Sequence, residues 1–204
     1  MSFKYAIVCL MATPRRKKHI ITIGGLPGSG KSTVGRILAK RLGYKTFSTG
    51  DFVRTMAIQQ HTSLTEFNEK IAHDKQLEEA IDNELIRIEN EGDEYVIDSH
   101  LGFHFVPSSF SVFLEASLKE CARRIFNDST TEIRIQSKEV MGTLEEAEEK
   151  TRGRVENHRR RYMEHYHIDP YVASHYDLTI NADENLPEHI VDIIELAYKS
   201  WLET

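Results

Sequence analysis

Eight residues early in the chain leave little freedom in what it can fold into. Gly25-Leu26-Pro27-Gly28-Ser29-Gly30-Lys31-Ser32 fits G-x-x-x-x-G-K-[ST]. It is preceded by the β-branched run Ile20, Ile21, Thr22, Ile23 and followed by Val34, Ile37, Leu38 and Leu42 at helical spacing until Gly43. A strand, a glycine-rich turn and a helix in that order form a phosphate-binding loop: the glycines let successive backbone N–H groups face one anion at the helix N-terminus. Lys31 can then reach β and γ oxygens, and the Ser32 hydroxyl can ligate Mg²⁺. Gly25 to Ser32, with Thr33 behind them, are therefore the expected ATP-binding residues, and Lys31 is a catalytic candidate.

The rest of the chain alternates in the same manner. Short apolar runs at 45–48, 94–98, 110–114 and 177–181 read as further strands, separated by helical stretches. Five strands alternating with helices imply a parallel sheet covered on both faces. Ser63 with Glu66 and Thr143 with Glu146 have capping-box spacing, Gly92 ends a helix marked by Ile81, Leu85 and Ile88, and Pro187 opens a last helix buried through Ile190, Val191, Ile194, Ala197 and Trp201. No repeat or Pro/Gly/Ser linker interrupts residues 19–204, which read as one domain. The polar stretch 127–142, without apolar periodicity, reads as its mobile excursion.

Charge and length narrow the class. Lys plus Arg total 26 against 32 Asp plus Glu, a formal charge of -6, so nothing global attracts nucleic acid or anionic membrane. Small-molecule substrates, no membrane, no nucleic acid and a monomer are expected. The 2 cysteines, Cys9 and Cys121, suit reduced thiols and a cytoplasmic setting. Residues 1–18 read as an N-terminal extension: the apolar run after Lys4 is too short to span a bilayer, and Arg15, Arg16, Lys17 and Lys18 after it oppose export. His158, His165 and His167 lack zinc-ligand spacing, so no structural metal is expected. A guanine-reading Asn-Lys-x-Asp is missing, and Asp98 is followed by Ser99, His100 and Leu101 rather than by a GTPase switch motif. At 204 residues the chain is also short for a motor or transporter ATPase and suits a small-molecule kinase.

Ser48-Thr49-Gly50-Asp51-Phe52-Val53-Arg54 follows the second strand, and there the chain resembles the nucleoside monophosphate kinases, whose Thr-Gly-Asp-x-x-Arg it matches residue for residue. Phe113-Leu114-Glu115-Ala116-Ser117, Cys121-Ala122-Arg123-Arg124, and Arg154 through Arg161-Tyr162, Tyr166, Ile168 and Asp169 are similar to segments of the cytidylate kinase group, in particular its short archaeal-type branch. The resemblance implies an α/β P-loop NTPase fold: a five-stranded parallel sheet of order 2-3-1-4-5, a helical acceptor-binding insertion about 52–92 and a lid about 124–150. It implies transfer from ATP, with Mg²⁺, to CMP or dCMP.

The same resemblance assigns roles. Thr49, Gly50, Asp51, Arg54, Asp98 and His100 would contact the acceptor, with the Arg54 guanidinium gripping its phosphate bidentately. Asp98 would join Ser32 at Mg²⁺, partly through water. Arg154 and Arg161, seven apart and so on one helix face, would point at transferring oxygens, and Arg124 would meet them from the lid. Asn181-Ala182-Asp183 lies where the adenine-binding loop of the family runs, while Arg159 and Arg160 read as solvated. One departure stands out: where the family has an acidic residue, a small residue and Arg, this chain has Asp98-Ser99-His100. A related adenylate kinase-like branch carries Asp-x-His there, which keeps an AMP kinase, or a weak ATPase with a partner role, as the alternative. A nucleic-acid-associated P-loop protein using the Arg-rich helix is the other.

Overall fold

The computed structural model describes residues 17–128, 135–136 and 141–204. The N-terminal extension up to residue 16, with Cys9, and much of the polar stretch inside the expected lid lie outside the described residues. Lys17 and Lys18 are docked: Lys17 Nζ donates to the carbonyl of Trp201 and lies 4.7 Å from its ring centroid, and Lys18 Nζ donates to the carbonyls of Glu89 and Gly92.

Strand β1 (Ile20–Gly25) leads through the glycine loop into helix α1 (Lys31–Leu42). Then come β2 (Lys45–Ser48), α2 (Thr49–Gln59), α3 (Leu64–His73), α4 (Lys75–Glu91), β3 (Tyr95–Asp98), the single turn α5 (Gly102–Phe105), β4 (Phe110–Glu115), α6 (Leu118–Asp128), α7 (Leu144–Tyr166), β5 (Leu178–Asn181) and α8 (Pro187–Glu203). The five strands form one sheet, β2-β3-β1-β4-β5, with every pairing parallel. This is the order implied by the family resemblance. The register sets Ile23 of β1 opposite Asp98 of β3 and Gly25 opposite Leu114 of β4, so the C-terminal strand ends converge on the glycine loop. Ligands of open α/β sheets bind in the crevice outside those ends.

Period-2 alternation explains the two cores. Ile21 and Ile23 turn to one face, where they pack with Val34 and Leu38 of α1 and Ile190, Ile194 and Tyr198 of α8. Ile20 turns to the other, against Leu85 and Ile88 of α4, Ile97 and Val106. Thr22 on that second face is buried and shares a 3.1 Å hydrogen bond with Ser109. Helices α2, α3 and α4 bury a small core of their own, in which Ala57, Phe67 and Ile71 are covered by Val53, Met56, Leu77 and Ile81. The Ser63–Glu66 capping box forms with both reciprocal bonds, and Thr143 caps α7 through the Glu146 N–H. Gly43 ends α1 in the left-handed conformation, as a C-terminal glycine does. Cys121 is a buried free thiol, and among the described residues no helix is long and apolar enough to cross a membrane.

Candidate active site

The loop between β1 and α1 has the conformation that its glycines permit. Gly25, Gly28 and Gly30 adopt φ of 141°, 84° and 100°. A Cβ at Gly25 would also lie 2.5 Å from the Leu114 carbonyl oxygen, and one at Gly28 2.5 Å from that of Cys121. Gly30 is the N-cap of α1 and supplies no side-chain cap, so the first N–H groups of the helix keep their capacity for an anion. Lys31 is buried, and its Nζ donates to the carbonyls of Gly25 at 3.0 Å and Leu26 at 2.8 Å. Burial lowers its pKa, and the nearby Asp98 carboxylate opposes that fall. Ser32 Oγ donates to Asp98 Oδ2, which brings a hydroxyl and a carboxylate together at the mouth of the loop. Two oxygen donors side by side suit a hard divalent cation such as Mg²⁺.

The Thr49–Arg54 motif is the first turn and a half of α2, started by Ser48, whose hydroxyl accepts from the Asp51 N–H at 3.3 Å. Thr49 Oγ1 donates to the Asp98 carbonyl, tying α2 to the end of β3. Arg54 is largely buried and donates to Asp51 Oδ1 at 3.0 Å, its guanidinium passing beside Gly50. A side chain at position 50 would meet Arg54 Nη1 at 3.2 Å, so glycine gives the guanidinium its room.

His100, just past β3, is where the positive charges converge. Burial drives its pKa well down, and Lys31, Arg154 and Arg161 add to the fall, so the ring is neutral. Its centroid lies 4.7 Å from that of His158, whose Nδ1 is 3.1 Å from the Tyr171 hydroxyl. Burial holds His158 neutral too.

Arg161 is buried on α7 and faces α4. Its Nε lies 3.2 Å from Glu78 Oε1, its Nη2 donates to the Tyr162 hydroxyl at 2.9 Å, and Glu78 Oε2 lies 3.4 Å from His165 Nε2. One turn further along α4, Asp82 accepts from the Tyr166 hydroxyl, and burial raises its pKa to about 6. Arg124 is bound to the other side of the loop: Nη1 donates to the Ser29 carbonyl at 3.0 Å, Nη2 to that of Ala182 at 2.7 Å, and Nε to Glu120 at 2.8 Å. It thus joins the phosphate-loop backbone to the turn after β5.

The structure brings Lys31, Ser32, Asp98, Thr49 and Arg54 together at the strand ends, places His100, Arg154 and Arg161 close enough for their charges to act there, and sets Arg124 on the β5 side. Arg159 is exposed and paired with Asp169, and Arg160 with Asn157, as expected of solvated side chains. Sequence reasoning missed Glu78, Asp82, His158, Tyr171 and Tyr176. The Tyr176 hydroxyl donates to the Pro170 carbonyl at 2.8 Å, and its ring covers Gly24 so closely that a Cβ there would fall 2.3 Å from the hydroxyl oxygen. The paired glycines at 24 and 25 carry a signal for that contact: only one is needed for the loop's backbone geometry.

A family model described as an AAA domain matches residues 21–166. The cytidylate kinase of Sulfurisphaera tokodaii is 36% identical over 185 residues, which are 90% of this chain and 96% of that protein. The cytidylate kinase of Sulfolobus acidocaldarius is 34% identical over 178 residues, 85% of this chain and 91% of that one. Among solved structures, a shikimate kinase from Bacteroides thetaiotaomicron aligns with a TM-score of 0.58 at 18% identity, covering 87% of this chain and 97% of the other. At that identity the likeness is one of fold.

Proposed function

Since the chain belongs to the cytidylate kinase family of nucleoside monophosphate kinases, we propose that it transfers the γ-phosphoryl group of ATP to CMP or dCMP, giving ADP and CDP or dCDP. The observation that carries this reading is the placing of the uncapped α1 N-terminus and buried Lys31 opposite the Arg54 guanidinium, across the ends of β1 and β3. One side suits a nucleoside triphosphate, the other a monophosphate dianion.

In this reading Gly25 to Thr33 cradle the ATP phosphates. Lys31 exchanges its bonds with the Gly25 and Leu26 carbonyls for β and γ oxygens, so the resting contacts hold the ammonium at the loop in the absence of phosphate. Ser32 and Asp98 would hold Mg²⁺, which supplies charge neutralisation on the phosphates. Thr49, Gly50, Asp51, Arg54 and His100 line the acceptor side, and Arg54 aligns an acceptor oxygen with the γ-phosphorus. That oxygen forms the new P–O bond as the bond to the ADP oxygen breaks. Arg154 adds positive charge beside Lys31, while Arg124, on the Ser29 and Ala182 carbonyls, keeps the donor pocket in shape. Helices within 52–92 would cover the acceptor, and 124–150 would serve as the lid.

Single-turnover transfer from ATP to CMP, dCMP, UMP and AMP, measured side by side, tests the reading. CMP or dCMP should be fastest. AMP faster by tenfold or more would favour the adenylate kinase-like alternative suggested by Asp98-Ser99-His100, and transfer to none of them would end the kinase reading.

A further inference from the structure

A residue with a glycine on either side has peptide planes that turn over easily, because glycine takes up positive φ at little cost. Ser29 stands in that position, between Gly28 at φ 84° and Gly30 at φ 100°. The Ser29–Gly30 peptide bears on anion binding, since its N–H is one of those at the start of α1 that the helix leaves over. In a trans peptide the carbonyl and the N–H point in opposite directions. Whatever holds the Ser29 carbonyl therefore also aims the Gly30 N–H.

Arg124 holds it. Its Nη1 donates to the Ser29 carbonyl at 3.0 Å, and a Cβ at Gly30 would have that nitrogen 3.6 Å away. Nη2 donates at 2.7 Å to the carbonyl of Ala182, in a turn fixed by the Ala182 N–H on the Glu115 carbonyl and the Ser117 N–H on Asp183. Nε donates at 2.8 Å to Glu120 Oε1, one turn earlier on α6, and Arg123 binds the same carboxylate through Nε and Nη2. Those bonds, Arg123's above all, hold the Glu120 pKa down at about 2, so the group is ionised. Every nitrogen of the Arg124 guanidinium is thus engaged by the protein, and it meets the loop on its carbonyl side.

We propose that Arg124 and Glu120 are positioning residues for the donor phosphates: the guanidinium braces the Ser29–Gly30 peptide from behind so that the Gly30 N–H faces the phosphate, and Glu120 keeps the guanidinium on the carbonyls. This deepens the kinase reading and rests on it for the identity of the donor. A charged donor on the carbonyl also polarises the peptide and strengthens its N–H. An arginine that reached the phosphates directly would have to leave both carbonyls and its acid.

The test measures ADP binding to the full chain by calorimetry, together with the Gly30 amide signal in ¹⁵N-labelled protein. Arg124→Lys keeps the charge but has a single nitrogen, which cannot span two carbonyls while holding Glu120. It should weaken ADP by about tenfold or more, as should Arg124→Ala. Glu120→Ala should weaken ADP roughly threefold and add nothing in the Arg124→Ala background. Direct phosphate binding by Arg124 would reverse the signs: lysine would serve nearly as well, and loss of Glu120 would release the guanidinium and tighten ADP. In the wild type the Gly30 amide proton should move downfield when ADP binds, and in Arg124→Lys that shift should fall by about half or more. A merely structural role would lower Tm and leave the shift intact. ADP affinity of Arg124→Lys within about twofold of wild type, unchanged or tighter binding by Glu120→Ala, or an undiminished Gly30 shift overturns the proposal. Should Arg124→Ala fail to fold, Arg124→Lys and Glu120→Ala decide, both at partly exposed side chains. A wild type that binds ADP but transfers phosphate to no monophosphate would end the kinase reading while the binding data decide this proposal; one that binds no ADP would overturn both.

Discussion

Replacing Gly24 with alanine adds one methyl group at a place with no room for it. The Cβ would lie 2.3 Å from Tyr176 Oη and 2.6 Å from its Cε1 and Cζ, so the ring must retreat by about 1 Å to reach ordinary contact. It has nowhere to go cheaply, because its hydroxyl is fixed on the Pro170 carbonyl and its ring lies 5.0 Å from Phe113 and 4.7 Å from Phe103, centroid to centroid. Overpacking of this kind costs about 1–3 kcal/mol, and loss of the Tyr176–Pro170 bond adds about 1 kcal/mol. Gly24→Ala should therefore destabilise by about 2–4 kcal/mol, a fall in Tm of roughly 4–15 °C for a chain of this size. Urea unfolding of wild type, Gly24→Ala, Tyr176→Ala and the double variant supplies the cycle. With the ring gone the added methyl should cost no more than about 0.5 kcal/mol, so the coupling should approach 2 kcal/mol. Additivity within about 0.5 kcal/mol would refute the reasoning.

Lys31→Met keeps the buried stem and removes the ammonium; kcat/KM should fall by roughly 10² or more with the circular dichroism spectrum unchanged, and a fully active variant would end the phosphate-loop assignment. Asp82 bears on pH. With its folded pKa raised from 3.8 to about 6, the native state binds more protons than the unfolded one between those values, so stability contributed by this group is lost as pH rises through about 6. Asp82→Asn, which keeps an oxygen for the Tyr166 hydroxyl, should raise Tm relative to wild type at pH 8 and gain less at pH 5. After allowance for partial exposure the difference is about 1 kcal/mol, read by thermal melts at the two pH values; equal shifts at both would contradict it.

The donor side of the cleft was legible from residues 20–33 because everything it requires is local. Alternation of Ile20 and Thr22 against Ile21 and Ile23 sets the strand, the glycines set the turn, and the absent side-chain cap at Gly30 leaves the helix N-terminus open for phosphate. The acceptor side divides differently. Ser48 to Arg54 is again a contiguous helix start and was legible through its resemblance to the family's Thr-Gly-Asp-x-x-Arg, whereas the space that Gly50 leaves for Arg54 shows only in the fold. Glu78 could not. Helix α4 also carries Glu79, Asp82, Glu84, Glu89 and Glu91, and nothing local marks Glu78 as the acid that packing buries fully. His158 is hidden in the same way among charged neighbours on α7, and the partners of Arg124 are backbone carbonyls, which leave no trace in side-chain identity. Backbone chemistry that must hold phosphate is written in consecutive residues, whereas Glu78, His100 and Arg161 come from α4, the end of β3 and α7 and meet only through tertiary packing. The phosphate loop can therefore stay whole while a residue outside it differs, as in this chain, which keeps its glycine loop and carries His100 after β3.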